Sequence, residues 1–306
     1  MINIYKVVNI SRKLLSEFTE QNLMPNKFTS DSWVVLSPME QSIKTKVERI
    51  GKPLKEWNIS INYGIKTGFN EAFIIDGKTK DELVKKSPNS ADIIRPILRG
   101  RDIKRYQANF ADLWIIATFP SKKYNIDDYP AVKEHLLSFG YDRLKQTGES
   151  GARKKTSNQW FETQDSISYW DDFSKQKIIY PNMTKFLPFY YDDKGYFTNQ
   201  KCFIITGENI GFLSAFLNSV LFRFCFKNNF PELFGDTREL SKIFFEQIPV
   251  IELDNTTNEK FIEFVRKISD MKKSGFETKL LENEIDQMIF ALYNLTSEEI
   301  SFINSR

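Results

Sequence analysis

The chain has 306 residues, 41% hydrophobic and 27% charged, with 43 Lys and Arg against 40 Asp and Glu for a formal net charge of +3. This is the composition of a folded globular protein, long enough for one large core or two modest ones, and so small a charge excess neither demands nor excludes nucleic acid. Two cysteines, Cys202 and Cys225, and one histidine, His135, exclude a disulfide scaffold, a cysteine-rich zinc site and any mechanism needing paired histidines.

In chain order, residues 1–9 lack a hydrophobic signal region, and residues 1–30 read as a helical or linker segment. A short β-branched run, Trp33-Val34-Val35-Leu36, precedes a helix whose start is well marked. Ser37 is the N-cap, Pro38 the first helical residue, Glu40 the partner that closes a capping box, and Gly51 follows the end. Met39, Ile43, Val47 and Ile50 share one face of it. Strands and loops then dominate to about residue 206. Ala72-Phe73-Ile74-Ile75, Leu113-Trp114-Ile115-Ile116, Lys177-Ile178-Ile179-Tyr180 and Cys202-Phe203-Ile204-Ile205 are short β-branched or aromatic runs bounded by turn residues. A short helix from Pro130 to Gly140 buries Val132, Leu136 and Leu137. Residues 212–226 read as one buried helix, too short and, with Asn218 and Arg223, too polar to span a bilayer. A loop through Pro231 and Gly235 follows, and residues 257–306 read as helices broken at Ser274-Gly275, with Thr296 to Glu299 forming a second capping box. The expected fold is mixed α/β (α+β). A recognition body at 31–250, with a mixed or antiparallel sheet and short helices, is followed by an antiparallel helical arm at 251–306. A cytoplasmic location without a membrane span is expected.

The basic residues are clustered. Arg95, Arg99, Arg101, Lys104 and Arg105 are opposed within their stretch only by Asp102. Arg143, Lys145, Arg153, Lys154 and Lys155 surround a loop of small polar residues with no hydrophobic period. Glycines let main-chain N–H groups approach a phosphate backbone while the cations neutralise it; the alternatives are a solvated loop and, at 99–102, a structural turn with an internal ion pair. Asn158-Gln159-Trp160-Phe161-Glu162 and Pro181-Asn182-Met183-Thr184-Lys185-Phe186 mix base-reading side chains with aromatics. For Trp160, Phe161, Tyr169 and Trp170 a core role is the stronger reading. The turn containing Lys66 and Thr67 is not a phosphate loop, since no glycine directly precedes Lys66, yet its N–H groups can face phosphates.

No Asn-Pro-Pro-aromatic tetrapeptide, no Gly-rich S-adenosylmethionine turn and no G-x-S-x-G occurs, and His135 lies within an amphipathic helix pattern. One catalytic pattern stands as a rival: Asp76-Gly77-Lys78, a D-x-K after an apolar strand of the kind metal-dependent nucleases use, which requires Glu56 or Glu71 as a further acid.

Gly64-Ile65-Lys66-Thr67-Gly68-Phe69-Asn70-Glu71-Ala72-Phe73-Ile74-Ile75-Asp76 resembles the run that opens the specificity region of Type IIG restriction-modification enzymes. Arg95-Pro96-Ile97-Leu98-Arg99-Gly100-Arg101-Asp102-Ile103-Lys104-Arg105-Tyr106 is similar to the segment that follows it there. Trp160-Phe161-Glu162, Lys177-Ile178-Ile179-Tyr180, Phe216-Leu217-Asn218-Ser219, Gln247-Ile248-Pro249 and the closing 292–300 keep the family's order of landmarks. The resemblance, from about residue 37 to 303, implies a TaqI-like C-terminal specificity domain. It implies double-stranded DNA as partner and a methyltransferase or nuclease domain or subunit beside it. S-adenosylmethionine and Mg²⁺ are then expected only in those catalytic parts, and no catalytic centre or metal site is expected here, whether the chain is a fragment or a separate specificity subunit. The parent enzyme is expected to be an adenine-specific DNA methyltransferase with endonuclease activity. The expected DNA-facing residues are Lys66, Thr67, Arg99, Arg101, Arg105, Arg143, Lys145, Arg153, Lys154, Lys155, Asn158, Gln159, Asn182 and Lys185. A protein-interaction module is the remaining alternative.

Overall fold

The computed structural model describes residues 36–227, 230 and 232–306. The segment 1–30 and the run 33–35 lie outside the described residues. The first helix, α1 (Pro38–Ile50), forms as its capping box requires. Ser37 Oγ accepts from Glu40 N at 3.3 Å, and the Glu40 carboxylate accepts from Ser37 N at 2.6 Å. β1 (Ile59–Tyr63) follows, then a single helical turn at Asn70–Phe73, β2 (Ile74–Asp76) and α2 (Gly77–Lys86). The strand expected at 72–75 therefore starts late. Thr67 Oγ1 donates to Asn70 Oδ1 and accepts from Phe69 N, so the chain turns there, and Ala72 and Phe73 enter the core from a helical turn.

β3 (Ile94–Leu98), β4 (Leu113–Ile116), α3 (Pro130–Leu137), β5 (Lys177–Pro181), β6 (Met183–Thr184), β7 (Tyr190–Asp192), β8 (Phe197–Thr198) and β9 (Cys202–Gly207) complete the body. One sheet is antiparallel, in the order β7-β5-β9-β1; the other is mixed, in the order β8-β3-β4-β2, with β8 parallel to β3. The mixed α/β expectation holds, and the two sheets explain the near-continuous apolar strands. Side chains alternate between faces, and both faces of each sheet are covered. In the antiparallel sheet Ile178, Tyr180, Phe203 and Ile205 face a helical layer, while Ile179, Cys202 and Ile204 meet Ile97, Ile115 and Phe197 of the mixed sheet. On the far face of the mixed sheet Ile75, Ile94 and Ile116 pack with Leu83 of α2 and Val132 and Leu136 of α3.

His135, on α3, is structural: Nε2 lies 3.1 Å from the Ala72 carbonyl, and burial pushes its pKa below the ordinary 6.5. The unfolded chain then binds a proton that the folded protein resists, so stability is full above about pH 6.5 and declines as the pH falls through that value. The urea midpoint is expected to be lower at about pH 5.5 than at about pH 7.5. His135→Gln should narrow this gap; an unchanged gap would assign it to carboxylates instead.

The helix expected at 212–226 is two helices, α4 (Ile210–Leu217) and α5 (Val220–Phe226). Asn218 breaks the run because its amide bonds both main-chain groups of Phe189, at 3.3 and 2.9 Å, and Ser219 caps α5 through Phe222 N at 3.1 Å. After β10 (Arg238–Glu239), which pairs with β6, come α6 (Asn255–Lys273), α7 (Lys279–Leu292) and α8 (Ser297–Asn304). Gly275, at φ +76°, makes the turn between α6 and α7. Phe261, Val265 and Ile268 of α6, Ile285 and Ile289 of α7 and Ile303 of α8 bury their faces in the same core as α1 and the antiparallel sheet. Part-buried polar bonds seal the junctions: Arg105 clasps Glu282 of α7 and the Asn218 carbonyl, and Glu299 of α8 receives Lys46 and Ser42 of α1.

Candidate nucleic-acid interface

Both sheets end at one edge of the body. β3 ends at Leu98 and β5 at Pro181, while the turn from β8 to β9 lies between them. Asn199 N donates to Leu98 O at 3.2 Å, and Asn182 N donates to Lys201 O at 2.8 Å, so the three segments are stitched together. Gly100 fits between them because a Cβ there would sit 3.3 Å from Lys201 O and 3.4 Å from Pro181 Cβ. The result is an open groove of about 790 Å³ with 99–105 on one side, 181–186 and Pro188 on the other, and Asn199 and Lys201 between. Two stretches that the sequence offers separately, the first basic cluster and the aromatic-polar run at 181–186, thus share one site.

Within this groove the cations divide into two sets. Arg99 is held by Asp102 through Nε and Nη2 at 2.9 and 2.8 Å, the internal ion pair of a structural turn, and that carboxylate raises its pKa. Arg105 is committed to Glu282 and Asn218. Arg101, Lys104, Lys185 and Lys201 are exposed and have no carboxylate partner among the described residues. The charge available to an outside anion therefore belongs to these four. Asn182 lines the groove, but its Oδ1 is closed off from solvent and has no hydrogen-bond partner among the described residues.

The second basic cluster behaves differently, and Arg153 is a correction. It is 2% exposed, and its guanidinium donates to the carbonyls of Leu144, Thr67, Glu162 and Trp160 at 2.8, 2.9, 2.7 and 2.6 Å. Burial pushes its pKa down to about 10, so it stays charged at neutral pH and serves as an internal tie. A phosphate cannot reach it. Thr67 is likewise buried. Asn158 directs its amide to the carbonyls of Thr163 and Gln164 at 3.2 and 2.9 Å, which holds the loop and leaves no donor for a base edge. Lys145 pairs with Asp142, which raises its pKa, and Arg143 lies over the Phe69 ring and donates to Gly151 O. Lys154, Lys155 and Gln159 remain exposed. Phe161 is buried and Trp160, Tyr169 and Trp170 are half-buried, as a core role predicts.

The 64–68 segment runs between the two regions. Ile65 bridges to Asn199 beside the groove, and Lys66 O accepts from Gln164 N at 3.0 Å beside the second loop. Gly64 is required, since a Cβ would fall 2.0 Å from Asn199 O. Half-buried Lys66 lies on this bridge. Lys201 and Asn199 fall outside the residues expected from the sequence to face DNA; the polar turn Asn199-Gln200-Lys201 between two apolar runs is the signal that marks them.

The rival catalytic pattern has a structural role. Asp76 is the N-cap of α2, accepting from Thr79 N at 2.7 Å, a bond that lowers its pKa, while Lys78 points to solvent near Glu82.

Among solved structures, the chain is similar to the type IIG restriction endonuclease BpuSI, at 14% identity and a TM-score of 0.49, over 84% of this chain and 34% of that one. It is also similar to the type IIL restriction-modification enzyme MmeI in complex with DNA, at 12% identity and a TM-score of 0.49, over 83% of this chain and 36% of that one. The chain thus spans about a third of the length of either enzyme. Residues 95–250, from β3 through the groove, the second loop and β10, match the TaqI-like C-terminal specificity domain, and the chain belongs to that family.

Proposed function

We propose that this chain recognises a short sequence in double-stranded DNA on behalf of a restriction-modification methyltransferase or endonuclease. The observation that carries the reading is the groove at the shared edge of the two sheets, where Arg101, Lys104, Lys185 and Lys201, within the segment that matches the family, stand exposed without carboxylate partners among the described residues. Such cations position a duplex by its phosphates. Arg101 is the groove arginine not committed to a partner among the described residues, so it is the one assigned to guanine, whose O6 and N7 accept a bidentate guanidinium. Lys154, Lys155 and Lys66 extend the phosphate track. In this reading S-adenosylmethionine and Mg²⁺ act in the catalytic parts of the parent enzyme, an adenine-specific methyltransferase with endonuclease activity, and no reaction step is assigned to this chain.

The test is binding to a pool of random duplex DNA across a salt series. Each phosphate contact contributes about −0.9 to the slope of log K against log salt. The combined replacement of Arg101, Lys104, Lys185 and Lys201 by alanine is expected to flatten the slope by roughly 3–4 units. Lys154→Ala with Lys155→Ala should take away at most about two more. A quadruple variant with the parent's slope would remove the groove from the interface. Salt-insensitive or absent binding by the folded chain would favour a protein-interaction module.

A further inference from the structure

In the groove wall at 183–186, two apolar side chains flanking Thr184 and Lys185 are strongly exposed. Met183 on β6 is 53% exposed and Phe186, just beyond Lys185, 76% exposed. β6 pairs with β10, Met183 opposite Glu239 and Thr184 opposite Arg238. The chain that enters β10 does so through a tight turn closed by a 2.6 Å bond from Leu233 N to Thr237 O. Phe234 stands at the tip of this turn, fully exposed at 101%, and Gly235 beside it takes φ +68°. A Cβ at position 235 would lie 3.6 Å from Lys185 Nζ, so the turn, the lysine and Phe186 belong to one projection.

That projection is braced. Arg238, 8% exposed, donates to Phe230 O at 2.9 Å and to the Glu232 carboxylate at 2.6 Å, which ties both limbs of the turn together. Two phenyl rings held away from the core, Phe234 on the braced turn and Phe186 on the neighbouring segment, have the form of a wedge, and their surroundings select its target. Flat apolar faces set between rows of negative charge are what a base stack offers, and the rings here stand beside cations with no carboxylate partner among the described residues. A purely apolar protein partner would leave those cations desolvated and unpaired.

Resting on the DNA-recognition reading, we infer that Phe186 and Phe234 stack against bases that are unstacked within the bound duplex, while Lys185 holds the adjoining phosphate. Aromatic or aliphatic wedges work against the cost of opening a base step, so a duplex already opened should bind more tightly.

The probes are a labelled 30-base-pair duplex of mixed sequence and the same duplex with two adjacent central T·T mismatches, each titrated with the 306-residue chain by fluorescence anisotropy across a salt series. The parent chain is expected to prefer the mismatched duplex on the order of tenfold. The double variant Phe186→Ala/Phe234→Ala should reduce that preference to about twofold or less while keeping the salt slope. Lys185→Ala should do the converse, losing about one unit of slope and keeping the preference. All three side chains are exposed, so thermal melts should match the parent's. Salt-dependent binding with no mismatch preference, or a preference that survives the double change, overturns the wedge and leaves the recognition reading intact. Absence of salt-dependent binding by the folded parent overturns both. Self-association of the chain that the double variant abolishes would make the rings a protein contact and also overturns the wedge.

Discussion

Arg153→Ala is expected to lower the unfolding free energy by about 4 kcal/mol. The guanidinium satisfies carbonyls from the 144–146 turn, the 64–68 bridge and the 160–162 loop. Removing it takes the guanidinium partner from the carbonyls of Leu144, Thr67 and Trp160 and leaves Glu162 O with Gln146 Nε2 alone; each buried acceptor left unpaired costs about 1–3 kcal/mol, partly offset because a buried cation is also removed. In a domain of this size that loss shifts the melting temperature by roughly 10 °C. Arg153→Lys should recover little, because one ammonium cannot span carbonyls arrayed around a planar fork. The decisive comparison is with DNA binding. Below its melting temperature the alanine variant should keep the parent's salt slope. A variant that melts like the parent but loses a unit of slope would restore Arg153 to the interface and refute the structural assignment.

The second large effect is at the Lys177–Asp192 pair, where both side chains are fully buried and the ions meet at 2.5 Å. The two residues are directly opposite on β5 and β7. Lys177 also donates to Phe173 O, while Asp192 accepts from Lys194 N and Tyr196 N at 3.0 and 2.9 Å. Burial lowers the lysine pKa and Asp192 opposes that shift. Removing one partner strands the other charge in the core, so Asp192→Asn or Lys177→Met alone should cost about 3–5 kcal/mol. Asparagine can still accept from the two turn amides through Oδ1, so the combined Lys177→Met/Asp192→Asn change should cost clearly less than the sum of the two. Urea denaturation of all four proteins measures this coupling. Additive losses would mean that the pair is not an interacting unit. The edge it pins continues through β5 into the 181–186 wall, so the single changes should also weaken DNA binding at temperatures near melting.

Local chemistry in the sequence reaches a good way into this fold. Capping boxes at Ser37 and Thr296 act over three residues, and both form as the residue types require. The apolar stripes of the C-terminal helices and the β-branched runs at 113–116, 177–180 and 202–205 are set by side-chain period, which one segment carries by itself. The 212–226 run shows where that reasoning stops. It is apolar throughout, yet Asn218 leaves the helix to bond a main chain 29 residues away, and only Asn218-Ser219 as a stop-and-cap pair hints at the break.

The element types, the mixed α/β class, the two basic clusters and the family resemblance are therefore legible along the chain, because each rests on interactions within a few residues or on an order of motifs. Which cations face outward was decided only by tertiary structure. Arg99, Arg101, Arg105 and Arg153 are chemically equivalent along the chain; what separates them is whether Asp102, Glu282 or a cage of carbonyls comes within hydrogen-bond reach. A guanidinium satisfies such partners when the fold supplies them and remains available to a phosphate when it does not. The groove itself has the same origin. Arg101, Lys185 and Lys201 come together because two sheets stack with their ends at one edge, a register set by burial on four sheet faces and written in no single segment of the chain.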